Sequence, residues 1–354
     1  MPIITGESIE RIARGVLRAA GATDEHAKTV AQHLADANLA GHDSHGLIRV
    51  PPYVRGIKEG RIDPVAQSEV VGEHMAMAQV NGNATFGQVV AAFATRLAMN
   101  KAREYGIGLV AMYNLGHTGR IGSYPEMAAK EGMAAIMYSG GITRGGGGVA
   151  PFGGREGRLS TNPISMAFPS SSNGVILLDF ATSMAAEGKL RVYSARGQAL
   201  PDQWVLSKDG VPSNDPNDYY DGGAILPVGG LSGGHKGYAL SFMVVLLGGM
   251  LGGLGRASNL ELAPPGGGTS IIVIDLESLA PIDDVKAQVE ELVRFVKDTP
   301  PMEGSSGVLY PGEVEAKSRQ ERRANGVPVE QPTWEAVAKL IKEYGLEDEL
   351  APLP

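Results

Sequence analysis

The spacing of apolar residues divides the chain into a helical beginning, an alternating middle and a helical end. Residues 7–20 and 24–40 repeat apolar positions every three or four residues, as Ala27, Val30, Ala31 and Leu34 do, which predicts two amphipathic helices. Thr23 is placed to cap the second, Asp24 and Glu25 favour its first turn, and Gly41 stops it. Pro51 and Pro52 then interrupt regular structure. From about Met75 the texture alternates: helix 86–104, strand 107–113, helix 123–131, strand 133–139, then strands at 164–168, 174–180 and 270–275. Helices at 183–190 and 236–254 separate these later strands. Helical spacing returns at 283–298, 313–325 and 333–344. The pattern predicts a helical part over 1–74 packing with a second helical part over 305–354, beside an α/β domain over 75–304. No internal repeat is visible.

One stretch breaks the amphipathic rule. Between Lys236 and Arg256 lie 19 uncharged residues, long enough by the ~18-residue criterion to span a membrane. Gly248 and Gly252 stand at G-x-x-x-G spacing and no second span follows. The reading is therefore a fully buried helix, at the centre of the fold or at a subunit interface. Composition agrees with a soluble protein: 43% of residues are hydrophobic, 20% are charged, and 354 residues suggest about two lobes. The net charge of -8, without a long basic run, argues against nucleic acid or an anionic membrane as the main partner. Any anionic ligand must then be met by local cations. The absence of cysteine excludes disulfides, thiolate nucleophiles and cysteine-ligated metals, and fits a cytoplasmic enzyme. The start, M-P-I-I-T-G-E-S, lacks a basic segment followed by an apolar one, so no signal peptide is read.

The most informative chemistry lies in N-L-G-H-T-G-R-I-G-S-Y, residues 114–124, where a predicted strand hands over to a helix. His117 sits between two glycines with Arg120 three residues on. A lone loop histidine is more often a solvated side chain. Beside a guanidinium that can clamp a carboxylate, however, an imidazole suits acid–base work on a small anion. The usual dinucleotide fingerprint is missing. Gly106-x-Gly108-x-x-Ala111 runs from helix into strand, the wrong order for a helix N-terminus on a pyrophosphate. Gly230-Leu231-Ser232-Gly233-Gly234 matches a hydrolase elbow, but His235 is the last histidine, so no triad order is possible. His42 and His45 lack a third ligand at recognisable spacing, and no metal is predicted. Asp179 ends a strand, where an acid can cap a helix, orient an imidazole or bind a ribose. Gly233–Gly237 carries His235 and Lys236 at a predicted helix N-terminus, which suits a phosphate or carboxylate. The glycine-rich loop 140–154 has the length of a ligand lid.

In order along the chain, A-G-H-D-S-H-G, N-x-x-H-x-G-R-x-G-x-Y, S-T-N-P, L-D-x-A-T-S, G-H-K-G-Y and P-G-E resemble the malate/L-lactate dehydrogenase-like oxidoreductases, nearest to the hydroxycarboxylate dehydrogenase branch. The resemblance covers essentially the whole chain. It implies a non-Rossmann α/β NAD(P) fold with a mostly antiparallel sheet wrapped by helices, assembled as a homodimer. The implied chemistry is hydride transfer between NAD or NADP and C2 of a small 2-hydroxy or 2-oxo acid. His117 or His45 would carry the proton, with Asp179 biasing its charge. Arg49 or Arg120 would clamp the substrate carboxylate, with Ser44 also in the substrate site. Cofactor contacts would fall on His45, Gly119, Arg120, Ile121, Asp179, Phe180, Ala181, Thr182, Ser183, His235, Lys236, Pro311, Gly312, Glu313 and Val314. Two departures bear on this: Ser160 replaces the family's usual glycine, and Gly266-Gly267-Gly268 replaces an expected asparagine. Within the family the alternatives are reduction of a cyclic imino acid and a ureidoglycolate-type dehydrogenation. Outside it stands a glycine-rich binding protein without turnover.

Overall fold

A computed structural model describes residues 1–144, 147–172, 174–253 and 267–352. The first half of the chain runs β1 (Ile3–Ile4), α1 (Gly6–Ala19), α2 (Asp24–Leu39), α3 (Val50–Lys58), β2 (Glu69–His74), β3 (Met77–Asn81), α4 (Gly87–Tyr105), β4 (Ile107–Tyr113), α5 (Ser123–Lys130), β5 (Met133–Gly140), β6 (Pro163–Pro169) and β7 (Val175–Ala181). There follow α6 (Glu187–Ala195), β8 (Val205–Leu206), β9 (Pro212–Ser213), α7 (Asn217–Tyr220), β10 (Ala224–Ile225), α8 (Gly230–Val244), β11 (Gly268–Asp275), α9 (Ile282–Lys297), α10 (Glu313–Asn325), β12 (Val327–Pro328) and α11 (Gln331–Glu343).

Seven strands form one sheet in the order β2-β3-β4-β11-β5-β6-β7. Every neighbouring pair is antiparallel except β3 and β4, which run parallel across the α4 crossover. The expected mostly antiparallel α/β architecture is therefore present. Central β11 pairs Ile271 with both Val110 and Met137, and its Ile271 and Val273 are fully buried. A second core joins the two ends of the chain: Ile9, Ile12, Val16 and Leu34 pack with Val327, Val337 and Ile341. Thr5 and Thr23 cap α1 and α2, accepting from the amides of Ser8 and His26.

Four local expectations change. Pro51 and Pro52, expected to interrupt regular structure, sit in the first turn of α3, where a missing N–H costs no helix bond. β2 lies inside the stretch read as helical; it is an exposed sheet edge, so nothing in its sequence alternates. The helix expected at 183–190 starts only at Glu187, because Ser183 bridges to Pro227 and its hydroxyl bonds Ala185 O. The apolar helix is buried on one side rather than all round. Leu231, Phe242, Met243 and Leu251 are each nearly half exposed, while the glycines press on the sheet. A Cβ on Gly248 would lie 2.7 Å from Tyr138 O, and one on Gly252 would lie 2.6 Å from Met112 O. Over Val245–Met250 the helix widens to π geometry; residues 254 and 255 of the apolar run fall outside the described residues. Among the described residues no helix is long and apolar enough to cross a membrane.

Candidate active site

Three segments remote in sequence converge on a cavity of about 630 Å3: the turn after α2, the loop after β4, and the end of β7 with the start of α6. That volume suits a small-molecule site. Asn38 shapes the first segment. Its Oδ1 accepts from Leu47 N at 2.8 Å and its Nδ2 donates to Asp43 at 2.6 Å, which folds the short turn that presents Ser44 and His45. Gly46 is required there, because a Cβ would sit 2.1 Å from Asn38 Oδ1.

The histidine loop is seated from beneath. Gly87, at the start of α4, lies so close that a Cβ would fall 2.2 Å from Gly116 O. Gly119 has φ +75°, and a Cβ on it would meet His33 Nε2 at 2.2 Å. His33 Nε2 accepts from Arg120 N at 2.9 Å, and its ring stacks on Tyr124. Burial, then the nearby Arg120 guanidinium, pushes the His33 pKa down to about 3, consistent with the neutral ring that this bond needs.

His45 and His117 stack with centroids 5.5 Å apart and rings 14° from parallel. Ser44 Oγ lies 3.0 Å from His45 Nδ1, and Tyr53 Oη lies 2.9 Å from His117 Nδ1. Burial lowers both pKa values, and the facing His117 adds to the effect on His45. For His117 the Arg49 guanidinium adds to burial, although the ring keeps an exposed side. Both rings are neutral at neutral pH.

The two candidate arginines separate in space. Arg49 borders the cavity, anchored by Nε donating to Ser44 O at 2.6 Å, and it makes no salt bridge among the described residues. Arg120 is 2% exposed and turned into carboxylates. Its Nη2 donates to Glu126 at 2.7 Å, with Asp36 at 3.7 Å and Asp179 at 3.9 Å. Arg319 completes the cluster, bonding Asp36 at 3.0 Å and Glu126 at 2.8 Å. The Arg120 charge is thus already offset by carboxylates, whereas Arg49 has no such partner among the described residues. Asp179 accepts from Gly122 N at 3.1 Å; burial raises its pKa and Arg120 opposes that rise.

Of the other expected contacts, Gly119, Ile121, Phe180, Ala181 and Ser183 line the cavity. Thr182 does not. It is fully buried, and its hydroxyl holds Thr161 O and Asn162 O. His235 and Lys236 are exposed in the second turn of α8, outside the lining. The Gly233–Gly237 segment is helix rather than turn, beginning with Gly233 N bonded to Gly229 O, so its amides are engaged in the helix ladder. Pro311 and Gly312 lie against the edge of β7, where Leu177 N donates to Pro311 O at 2.9 Å. Gly312 borders a separate cavity of about 900 Å3 with Lys286, Arg319 and Arg323. Glu313 is tied to Lys297 and Lys317, and Val314 is exposed. Ser160 is absent from the lining, whereas Thr161 and Pro163 belong to it; Gly266 lies outside the described residues. Tyr53, Gln88, His33, Glu126 and Arg319 escaped the sequence reading, since no motif spacing ties them to the histidines.

Gly119 lines the cavity, and a Cβ on nearby Gly122 would meet Asp179 Oδ2 at 2.4 Å, so the loop packs closely on the end of β7. Arg120 Nε and Nη1 remain buried without a hydrogen-bond partner. The mostly antiparallel sheet sets the α/β fold outside the Rossmann class. The chain belongs to the malate/L-lactate dehydrogenase family, whose model matches residues 4–338. It is 36% identical to hydroxycarboxylate dehydrogenase B of Escherichia coli, over 97% of this chain and 94% of the relative. L-sulfolactate dehydrogenase of Methanothermobacter thermautotrophicus is 34% identical, over 99% of each chain. Among solved structures, malate dehydrogenase of Entamoeba histolytica superposes with a TM-score of 0.90 at 29% identity, covering 100% of this chain and 99% of that one.

Proposed function

We propose that the protein is a cytoplasmic, homodimeric NAD(P)-dependent dehydrogenase that interconverts a small 2-hydroxy acid and its 2-oxo acid. The observation that carries this reading is one cavity holding two neutral stacked imidazoles and Arg49, a cation without a salt bridge among the described residues. The bound nicotinamide supplies a hydride acceptor or donor. Gly119, Ile121, Asp179 to Ala181 and Ser183 would hold it, with His45 at its reactive end; Arg120 supports that wall. Arg49 binds the substrate carboxylate through a charge-assisted pair. His117 then takes the C2 hydroxyl proton during oxidation and returns it during reduction. Substrate binding favours this cycle, because a carboxylate paired with Arg49 offsets the cation that lowers the His117 pKa. The half-exposed apolar side of α8 supplies a face for the dimer.

The test is a panel of 2-oxo acids, each with NADH and NADPH, followed by nicotinamide absorbance. Turnover of a small 2-oxo acid is expected. Turnover of cyclic imino acids alone would replace the C=O reading with C=N reduction. Cofactor binding without turnover of any candidate would leave a binding protein.

A further inference from the structure

We propose that Tyr53 and Gln88 form a buried positioning arm that holds His117 by Nδ1 and directs Nε2 to the substrate oxygen. This rests on the dehydrogenase reading and adds residues to it. Tyr53, on α3, places Oη 2.9 Å from His117 Nδ1, and Gln88, on α4, donates from Nε2 to the same Oη at 2.7 Å. Tyr53 is 5% exposed and Gln88 1% exposed. Neither borders the cavity that His117 faces. Three elements distant in sequence therefore meet behind one ring. Satisfying Nδ1 from behind leaves Nε2 as the nitrogen for chemistry.

The choice of a phenol is informative. A carboxylate in this position would accept from Nδ1–H only and would draw the imidazole toward its cation. A phenol accepts from Nδ1–H and also donates to a bare Nδ1. A ring that takes a proton at Nε2 already carries one at Nδ1, so here Tyr53 accepts from Nδ1–H before and after the transfer and keeps the ring seated without drawing it toward its cation. In oxidation the hydroxyl proton passes to Nε2, and the Nδ1–H of the imidazolium is held on Tyr53 Oη; reduction reverses this. Gln88 fixes the phenol by occupying one of its two lone pairs. His45 has no comparable support, only the hydroxyl of its neighbour Ser44. The arm thus favours His117 over His45 as the proton carrier.

Tyr53→Phe removes the hydroxyl and keeps the ring that packs edge-on to Phe86 at 6.3 Å. The expected result is a fall in kcat of about 10- to 100-fold with KM for the 2-oxo acid and the cofactor Kd little changed, because alignment rather than binding is lost. The pH profile of kcat should shift with it. NMR should show the ring-nitrogen shifts of His117 moving at Nδ1. Gln88→Leu, acting through Tyr53, should give a smaller fall in the same direction, and it stands as the second variant should Tyr53→Phe fold poorly. Unchanged kcat, pH profile and His117 nitrogen shifts in the folded variants would overturn the proposal. Absence of turnover in the wild type would count against the dehydrogenase reading alone, because the nitrogen shifts need no substrate and still decide the positioning.

Discussion

The cavity is backed by two walls of opposite character, reaching its lining through Arg120 and Asp179 on one side and His45 and His117 on the other. On one, Arg120, Arg319, Asp36 and Glu126 form a buried charge cluster, with Asp179 alongside, in which every charge faces an opposite one. On the other, His45, His117 and Tyr53 are uncharged groups joined by stacking and hydrogen bonds, with Arg49 and Lys189 as cations in the same cavity. The charged wall holds α2, α5, α10 and the histidine loop together across large sequence separations. The neutral wall leaves proton-carrying groups free to change state. A buried ion pair resists losing a partner, which makes it a poor proton carrier and a firm brace.

The sharpest way to break this comparison is on the neutral wall. His117→Ala should lower kcat by ~10²–10⁴-fold while cofactor affinity, measured by fluorescence titration, stays close to wild type. If turnover survives and His45→Ala abolishes it instead, the proton carrier is His45.

The two arginines should fail in different ways. Arg120→Met leaves buried carboxylates without their cation, and loss of one buried partner costs about 3–5 kcal/mol of stability by chemical denaturation. Arg49→Met should leave the unfolding midpoint almost unchanged and raise KM for the 2-oxo acid about 10- to 100-fold, as expected for a lost charge-assisted bond. A stable Arg120→Met protein with a raised KM would reverse the assignment of brace and clamp.

The smallest effect expected is on pH dependence. His33 titrates near 6.5 when unfolded and at about 3 when folded. Between those values the unfolded chain binds the additional proton, so this stability is present above pH 6.5 and is lost as pH falls toward 3. The contribution is at most about 1.4 kcal/mol per pH unit. His33→Gln keeps an acceptor for Arg120 N and removes the titration, so its stability should fall less steeply below pH 6.5. Parallel pH profiles for variant and wild type would show that His33 is not the group responsible.

Where a segment's environment repeats along the chain, the sequence reports it well. Strand 107–113 has the bounds expected because burial leaves a run of apolar residues, and helix 313–325 has them because Gly312 and Gly326 flank it, although Glu313 is its one buried residue. Exposed β2 buries nothing, so no spacing could announce it. The apolar run of α8 is harder to read for a related reason. Its glycines do mark close backbone approach, yet hydropathy alone cannot separate a surface awaiting a partner from one already buried. In the site, His45, His117 and Arg49 were legible because glycines and neighbouring motif residues surround them. Their roles were less so, since two arginines of the same charge differ only in what faces them.

By itself the sequence determined the family through its ordered motifs, the mostly antiparallel plan through that resemblance, and the helical and α/β regions through periodicity, together with the short list of ionisable groups. Tertiary structure alone decided which arginine is neutralised, that Gly233–Gly237 lies within a helix, and that Tyr53 and Gln88 stand behind His117. Those outcomes depend on distances between residues tens to hundreds of positions apart, and on the loss of solvent around them. Neither is written in any local spacing.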